Sequence, residues 1–225
     1  MPRHQPDNLL SLFPLPSVVL FPGVRVPLHI FEPRYRAMTQ AALTGSQRIG
    51  MVTVLPEHVS HIERDPPVFV IGCEGKIVSS ERLPNGRYNI VLLGTRRFRI
   101  CAEPPRPSAR LYRIAQVERL DDSNDPADAS RLHALRSRVS ELFIDLVSVV
   151  APTRAPEISP SFFAGMDDTR FANTLCQVLD LPAVEKQGLL EANSIPERLE
   201  RLSVALQFRL AELTWRGTPQ AKKLH

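Results

Sequence analysis

LFPLPSVVLFPGVRVPLHIFEPRYRAM, residues 12–38, alternates short apolar and β-branched runs with prolines at 14, 16, 22, 27 and 33. Proline removes a backbone donor and pushes its predecessor out of the α region, so no helix runs through this punctuation. The stretch predicts brief edge strands and turns. Helical spacing begins only at Pro33, a first-turn proline followed by Tyr35, Met38 and Ala42 on one side, which predicts a helix over 33–42.

The same period-two pattern continues outward from this stretch to about residue 120. RIGMVTVL (48–55), VFVIGCEGKIVSSERL (68–83), RYNIVLL (87–93), RRFRICA (96–102) and RLYRIAQVERL (110–120) read as strands. Pro84-Asn85-Gly86 is a hairpin signal, because Asn-Gly supplies the positive φ of a tight reversal, and Gly94-Thr95 reads as another turn. Many short strands with tight turns predict a closed or nearly closed β barrel over residues 1–120.

Beyond Asp121 the period becomes helical. Asp125 is placed to cap and Pro126 to open a long amphipathic helix from about 127 to 150, with Leu132, Leu135, Val139, Leu142, Leu146 and Val149 at three- and four-residue spacing. After an irregular connector (152–165), two short helices are expected, the first around Phe171, Leu175 and Val178. Ser194 and Glu197 form a capping-box signal for a last helix, whose stripe runs from Ile195 to Leu213. Residues 121–225 therefore read as a helical bundle domain, and the fold class as α+β.

Composition agrees with a folded chain. Of 225 residues, 43% are apolar, enough to bury a real core; 21 prolines sit between apolar runs as strand punctuation and not as a linker. Three widely spaced cysteines (73, 101, 176) with no CxxC pair fit a reducing, cytoplasmic setting, and no apolar run reaches membrane-spanning length. Nine basic side chains stand between Lys76 and Arg113 against only Glu81 and Glu103. Arg87, Arg97 and Arg99 from this stretch are candidate anion-binding residues, set against the plainer reading of a strand whose polar face is solvated.

Three blocks in order carry a family resemblance: Leu12–Met38, GCEGKIVSSERLPNGRYNIVLLGTRRFRI (72–100) and KQGLLEANSIPERLERLSVAL (186–206). They resemble the amino-terminal, substrate-recognition domain of Lon proteases, and especially free-standing proteins built from that module alone. The resemblance implies a small PUA-like β barrel followed by helices, and a non-catalytic module that binds exposed apolar or unfolded polypeptide, with an intracellular protease or chaperone as partner. Because PUA-like barrels also bind RNA, nucleic acid is the alternative ligand. Phe31, Arg34, Tyr35, Arg36 and Met38 combine aromatic, thioether and guanidinium groups suited to polypeptide recognition, although Tyr35 and Met38 equally suit a plug for one end of the barrel.

The search for catalytic constellations is negative. Gly75-Lys76 is followed by Ile77 and lacks the earlier glycine of a phosphate loop, no GxSxG elbow occurs, and neither Lys76 nor Lys186 has a serine placed by motif. Glu57, His58, His61, Glu63 and Asp65 lie between Pro56 and Pro66, where a solvated loop is expected, and His29 has no nucleophile beside it by motif. No catalytic residue, metal site, cofactor or membrane partner is expected.

Overall fold

The computed structural model of the chain describes residues 8–122, 128–153, 160–163 and 165–216. Six strands form: β1 (Leu9–Leu15), β2 (Arg25–Ile30), β3 (Arg48–Thr53), β4 (Ile71–Arg82), β5 (Tyr88–Ala102) and β6 (Ile114–Leu120), with helix α1 (Pro33–Leu43) between β2 and β3. They make one mixed sheet in the order β2-β5-β4-β3-β1-β6, and an additional β5–β6 pairing closes five of them into a barrel. β1 and β3 are parallel, with Leu12 opposite Gly50; the other pairings are antiparallel.

The long β4–β5 hairpin serves two structures at once. Along Arg97–Ala102, β5 pairs with β6 and belongs to the closed barrel; along Tyr88–Leu93 it pairs with β2 instead. β4 accompanies β5 throughout, so β2, β5 and the end of β4 form a three-stranded extension of the closed sheet. Inside the barrel Leu10, Leu12, Val52, Phe98, Ala115 and Val117 form a buried cluster, in which each large side chain contributes about 2 kcal/mol relative to exposure.

Gly94-Thr95 does not reverse the chain. Glu74 faces Arg96 and Gly75 faces Gly94, so Thr95 is the extra residue of a bulge within a continuous strand, and its hydroxyl donates to the Glu74 carbonyl at 3.0 Å. Glycine is required at 94 because a Cβ there would overlap the Phe21 carbonyl. A second bulge makes Val78 the extra residue of β4.

The prolines of the opening stretch also divide. Pro27 lies on β2, an edge strand as expected, but β1 is interior, between β3 and β6. Pro14 is tolerated there because β6 pairs only with Leu9–Ser11 and stops short of it.

Four helices follow: α2 (Ala129–Val150), α3 (Asp168–Val178), α4 (Ala183–Leu190) and α5 (Ile195–Arg216). The expected cap at Asp125 and first-turn Pro126 lie outside the described residues. The capping box at α5 forms: Ser194 Oγ accepts from the Glu197 amide at 3.2 Å, and the Glu197 carboxylate accepts from the Asn193 amide at 2.8 Å, which holds that carboxyl below its usual range.

The chain divides into two compact units, residues 1–121 with 173–191, and residues 122–172 with 192–225. In the first, polar side chains of the helical segment bond barrel backbone. Gln187 accepts from Thr53 Oγ1 at 2.8 Å and donates to the Ile71 carbonyl at 2.9 Å, and Asn173 donates to the Pro22 carbonyl. In the second, α2 packs along α5, and fully buried Arg198 is held by both Asp122 carboxylate oxygens. Arg136 stacks 4.5 Å over the Phe171 ring and pairs with Asp168.

Candidate functional site

The segment from Phe31 to Met38 is split by the geometry of α1. Glu32 precedes the helix in extended conformation (φ −67°, ψ 136°), its carbonyl accepting from the Tyr35 and Arg36 amides, and Pro33 enters the first turn. Helical periodicity then turns Tyr35 and Met38 inward. Tyr35 is 4% and Met38 0% exposed; the Tyr35 ring lies 4.5 Å from Phe13 and its hydroxyl donates to the Pro14 carbonyl at 3.3 Å. Burial pushes the Tyr35 phenol up to about 12. Both side chains are buried core residues.

Three members of the segment remain at the surface and point to different neighbours. Phe31 is 56% exposed and its ring stacks on His29. Arg34 pairs with Glu32 at 2.9 Å, donates to the Ile62 carbonyl at 3.0 Å and lies over the Tyr35 ring, so it ties α1 to the 56–64 turns. Arg36 reaches the other way, its guanidinium lying over Gly86 at the tip of the β4–β5 hairpin.

That tip is the predicted Asn-Gly turn. Gly86 takes φ +75°, and Asn85 Oδ1 accepts from the Arg87 amide at 3.0 Å. Arg87 is exposed there, and Arg99 is exposed on β5 opposite Glu118. Arg97 is not solvated: it is 3% exposed and donates to the carbonyls of Leu190 (3.1 Å) and Asp121 (3.4 Å). Strand alternation places Phe98 inward, and the segment 173–191 covers the opposite face that alternation alone leaves to water. The three arginines are thus dispersed.

The 56–64 segment, expected as a loop, forms 3-10 turns broken at His61. Asp65, in left-handed conformation, pairs with Arg106 at 2.5 Å, while Arg113 holds Glu103 and donates to the Pro66 carbonyl. Asp65, Glu103, Pro104, Arg106, Arg113 and Ile114 line a cleft of about 260 Å³. Its parts come from segments some forty residues apart, which is why no local motif announced it.

The three-stranded extension presents a further surface that sequence reading missed. Register aligns Arg25, Leu93 and Lys76; Pro27, Val91 and Ser79; and His29, Asn89 and Glu81. The last row is linked: His29 Nδ1 donates to Asn89 Oδ1 at 2.8 Å, and Asn89 Nδ2 donates to Glu81 Oε2 at 3.0 Å. Partly exposed Val91 and Leu93 with exposed Val78, Pro27 and Phe31 give it apolar character, and Arg25, Lys76 and Arg87 are exposed around it. Of the aromatic residues within the basic stretch, Tyr88 and Phe98 are buried.

The model of the ATP-dependent protease La (LON) substrate-binding domain matches residues 10–207. Among curated relatives, Lon protease of Flavobacterium johnsoniae is 28% identical over 220 residues, covering 95% of this chain and 26% of that protein. Lon protease of Paraburkholderia phytofirmans is 30% identical over 220 residues, covering 92% and 25%. The chain thus spans about a quarter of the length of these relatives. Among solved structures, the N terminal domain of Mycobacterium avium complex Lon protease superposes with a TM-score of 0.67 at 21% identity over 91% of this chain and 98% of that one. A Lon N-terminal domain protein from Xanthomonas campestris gives 0.57 at 24% identity, covering 86% and 96%. With a family model spanning nearly the whole described chain and the same fold in solved Lon domains, this chain belongs to the Lon substrate-binding domain family.

Proposed function

We propose that this chain is a non-catalytic recognition module for exposed apolar or unfolded polypeptide, working in the cytoplasm beside an intracellular protease or chaperone. The observation that carries the reading is the match of residues 10–207 to a substrate-binding domain. The surface supports it: exposed Phe31 follows β2, whose Pro27 lies opposite Val91 with Leu93 two residues further along β5, and a strand face with an aromatic anchor suits extended segments of varied sequence. Arg34 and Arg36 follow that anchor in the first turn of α1. Cysteines held as thiols at positions 73, 101 and 176 fit a reducing compartment. Nucleic acid is less well served, because Arg97, Arg106 and Arg113 are engaged within the protein and buried Tyr88 and Phe98 offer no stacking face.

The test is binding of fluorescently labelled, permanently unfolded casein, followed by anisotropy beside a folded control and a single-stranded RNA. The expected result is saturable binding of the unfolded chain alone, weakened roughly tenfold by Phe31→Ala. The Arg34→Ala, Arg36→Ala double variant is expected to weaken it about threefold while leaving the fold intact. Preference for RNA with a steep loss on adding salt overturns the polypeptide reading. Casein affinity that is the same in all variants removes the Phe31–Met38 surface from it.

A further inference from the structure

We propose that the edge of β4 left open by the described residues, Val78–Arg82, is a strand-addition site for an extended acidic polypeptide segment. The inference rests on the polypeptide-binding reading and names its chemistry. A sheet edge offers a row of main-chain donors and acceptors, and a closed barrel removes such edges. Closure here is incomplete. β3 pairs with β4 only from Arg48 opposite Lys76 to Met51 opposite Cys73, with one further bond from the Ile77 amide to the Gln47 carbonyl. Past that point β4 continues to Arg82 with β5 on one side, and Val78, Ser79, Ser80, Glu81 and Arg82 are all exposed.

The two edges of the extension are not equivalent. β2 carries Pro27 mid-strand, where the missing N–H interrupts any added ladder. The β4 edge has no proline between Ile71 and Arg82. At ~3.3 Å per residue, the five residues from Val78 to Arg82 span roughly 16 Å, room for a strand of about five residues.

Charge selects the occupant. Lys76 stands just before one end of the edge and Arg82 at the other, with Arg87 exposed and Arg36 lying over the hairpin tip beyond it. The acid within the edge, Glu81, already accepts from Asn89. A second copy of this edge would bring like charges into register and is disfavoured, whereas a segment with carboxylates near both ends is attracted. The bulge at Val78 adds local twist, so a single short strand fits better than a long flat ladder.

Two peptides on the intact chain test this: one of about ten residues alternating Glu with Val or Leu, and the same peptide with alternate amides N-methylated so that one edge cannot pair. The first is expected to bind and to slow hydrogen exchange of amides within 78–82. N-methylation should weaken it roughly tenfold or more, and the Lys76→Glu, Arg82→Glu variant comparably. Ser80→Pro should also abolish binding, with circular dichroism to confirm its fold; the methylated peptide, used on the unaltered protein, gives the same answer without any folding risk. Equal binding of both peptides, or protection confined to other strands, overturns the proposal. If unfolded casein binds but the acidic peptide does not, strand addition fails while polypeptide recognition stands; if neither binds, both fail.

Discussion

The two halves of the β4–β5 hairpin both carry arginines and meet opposite fates. In the half that enters the barrel, β5 is flanked on both sides, and even a guanidinium, that of Arg97, is enclosed and donates to the carbonyls of Leu190 and Asp121. In the half that leaves it, Lys76, Arg82 and Arg87 are exposed, one edge of β4 lies open and Phe31 projects nearby. Closure uses backbone polarity within the sheet; the unclosed remainder leaves it unpaired along one edge, where the proposed strand addition would use it. The same residue type is enclosed in one half and exposed in the other.

The largest break in this contrast should come from Arg97→Leu. Deleting the guanidinium leaves the buried Leu190 carbonyl short of a donor and removes the part-buried bond to the Asp121 carbonyl; with a charged-group hydrogen bond worth about 1.5–3 kcal/mol, a loss of about 3 kcal/mol is expected. Urea denaturation of the variant measures it. A loss below about 0.5 kcal/mol would mean that Arg97 behaves as a surface residue and that the closed half is not what sets it apart.

Alkaline titration sharpens the same contrast through Tyr35. Its folded pKa of about 12 lies above the ordinary value of 10.0, so the unfolded chain releases this proton first. Stability from the buried phenol is complete below about pH 10 and is lost as pH rises toward 12, by up to about 2–3 kcal/mol. Thermal melts at stepped alkaline pH should show that decline, and Tyr35→Phe should flatten it. An unchanged slope in the variant would place the titrating group elsewhere.

How far the sequence disclosed this arrangement depends on the range of the determining forces. Pro33 announced α1, Asn85-Gly86 the hairpin tip, and Ser194 with Glu197 the start of α5, because each acts within four residues. Gly94-Thr95 looked like the same kind of signal yet makes a bulge; what decides it is the approach of the Phe21 carbonyl, seventy residues away in sequence. Arg97 was unreadable for the same reason, since the segment that covers it is 173–191. Tyr35 and Met38 were ambiguous in composition, and the phase of α1 relative to the barrel resolves them as core. Register across β2, β5 and β4, which assembles the apolar row and the open edge, is a pairing property that no single strand encodes.

At the tip of the open half the expected effects become smaller. Gly86 has φ +75°, so Gly86→Ala strains the turn and displaces the overlying Arg36, at a cost of about 1 kcal/mol. Denaturant midpoints report that cost directly; an unchanged midpoint would show that the tip adjusts freely.

The smallest effect is predicted for Arg87→Ala. The side chain is exposed at that tip, so stability should change by no more than about 0.5 kcal/mol, in contrast to the Arg97 variant ten residues along the same strand pair. Affinity for an acidic extended peptide should nevertheless fall by about threefold, and the loss should shrink as salt rises toward screening conditions. Paired denaturation and anisotropy measurements on the two variants place stability and binding on separate halves of one hairpin. A large stability loss for Arg87→Ala would erase that separation, because it would make the open half as structural as the closed one.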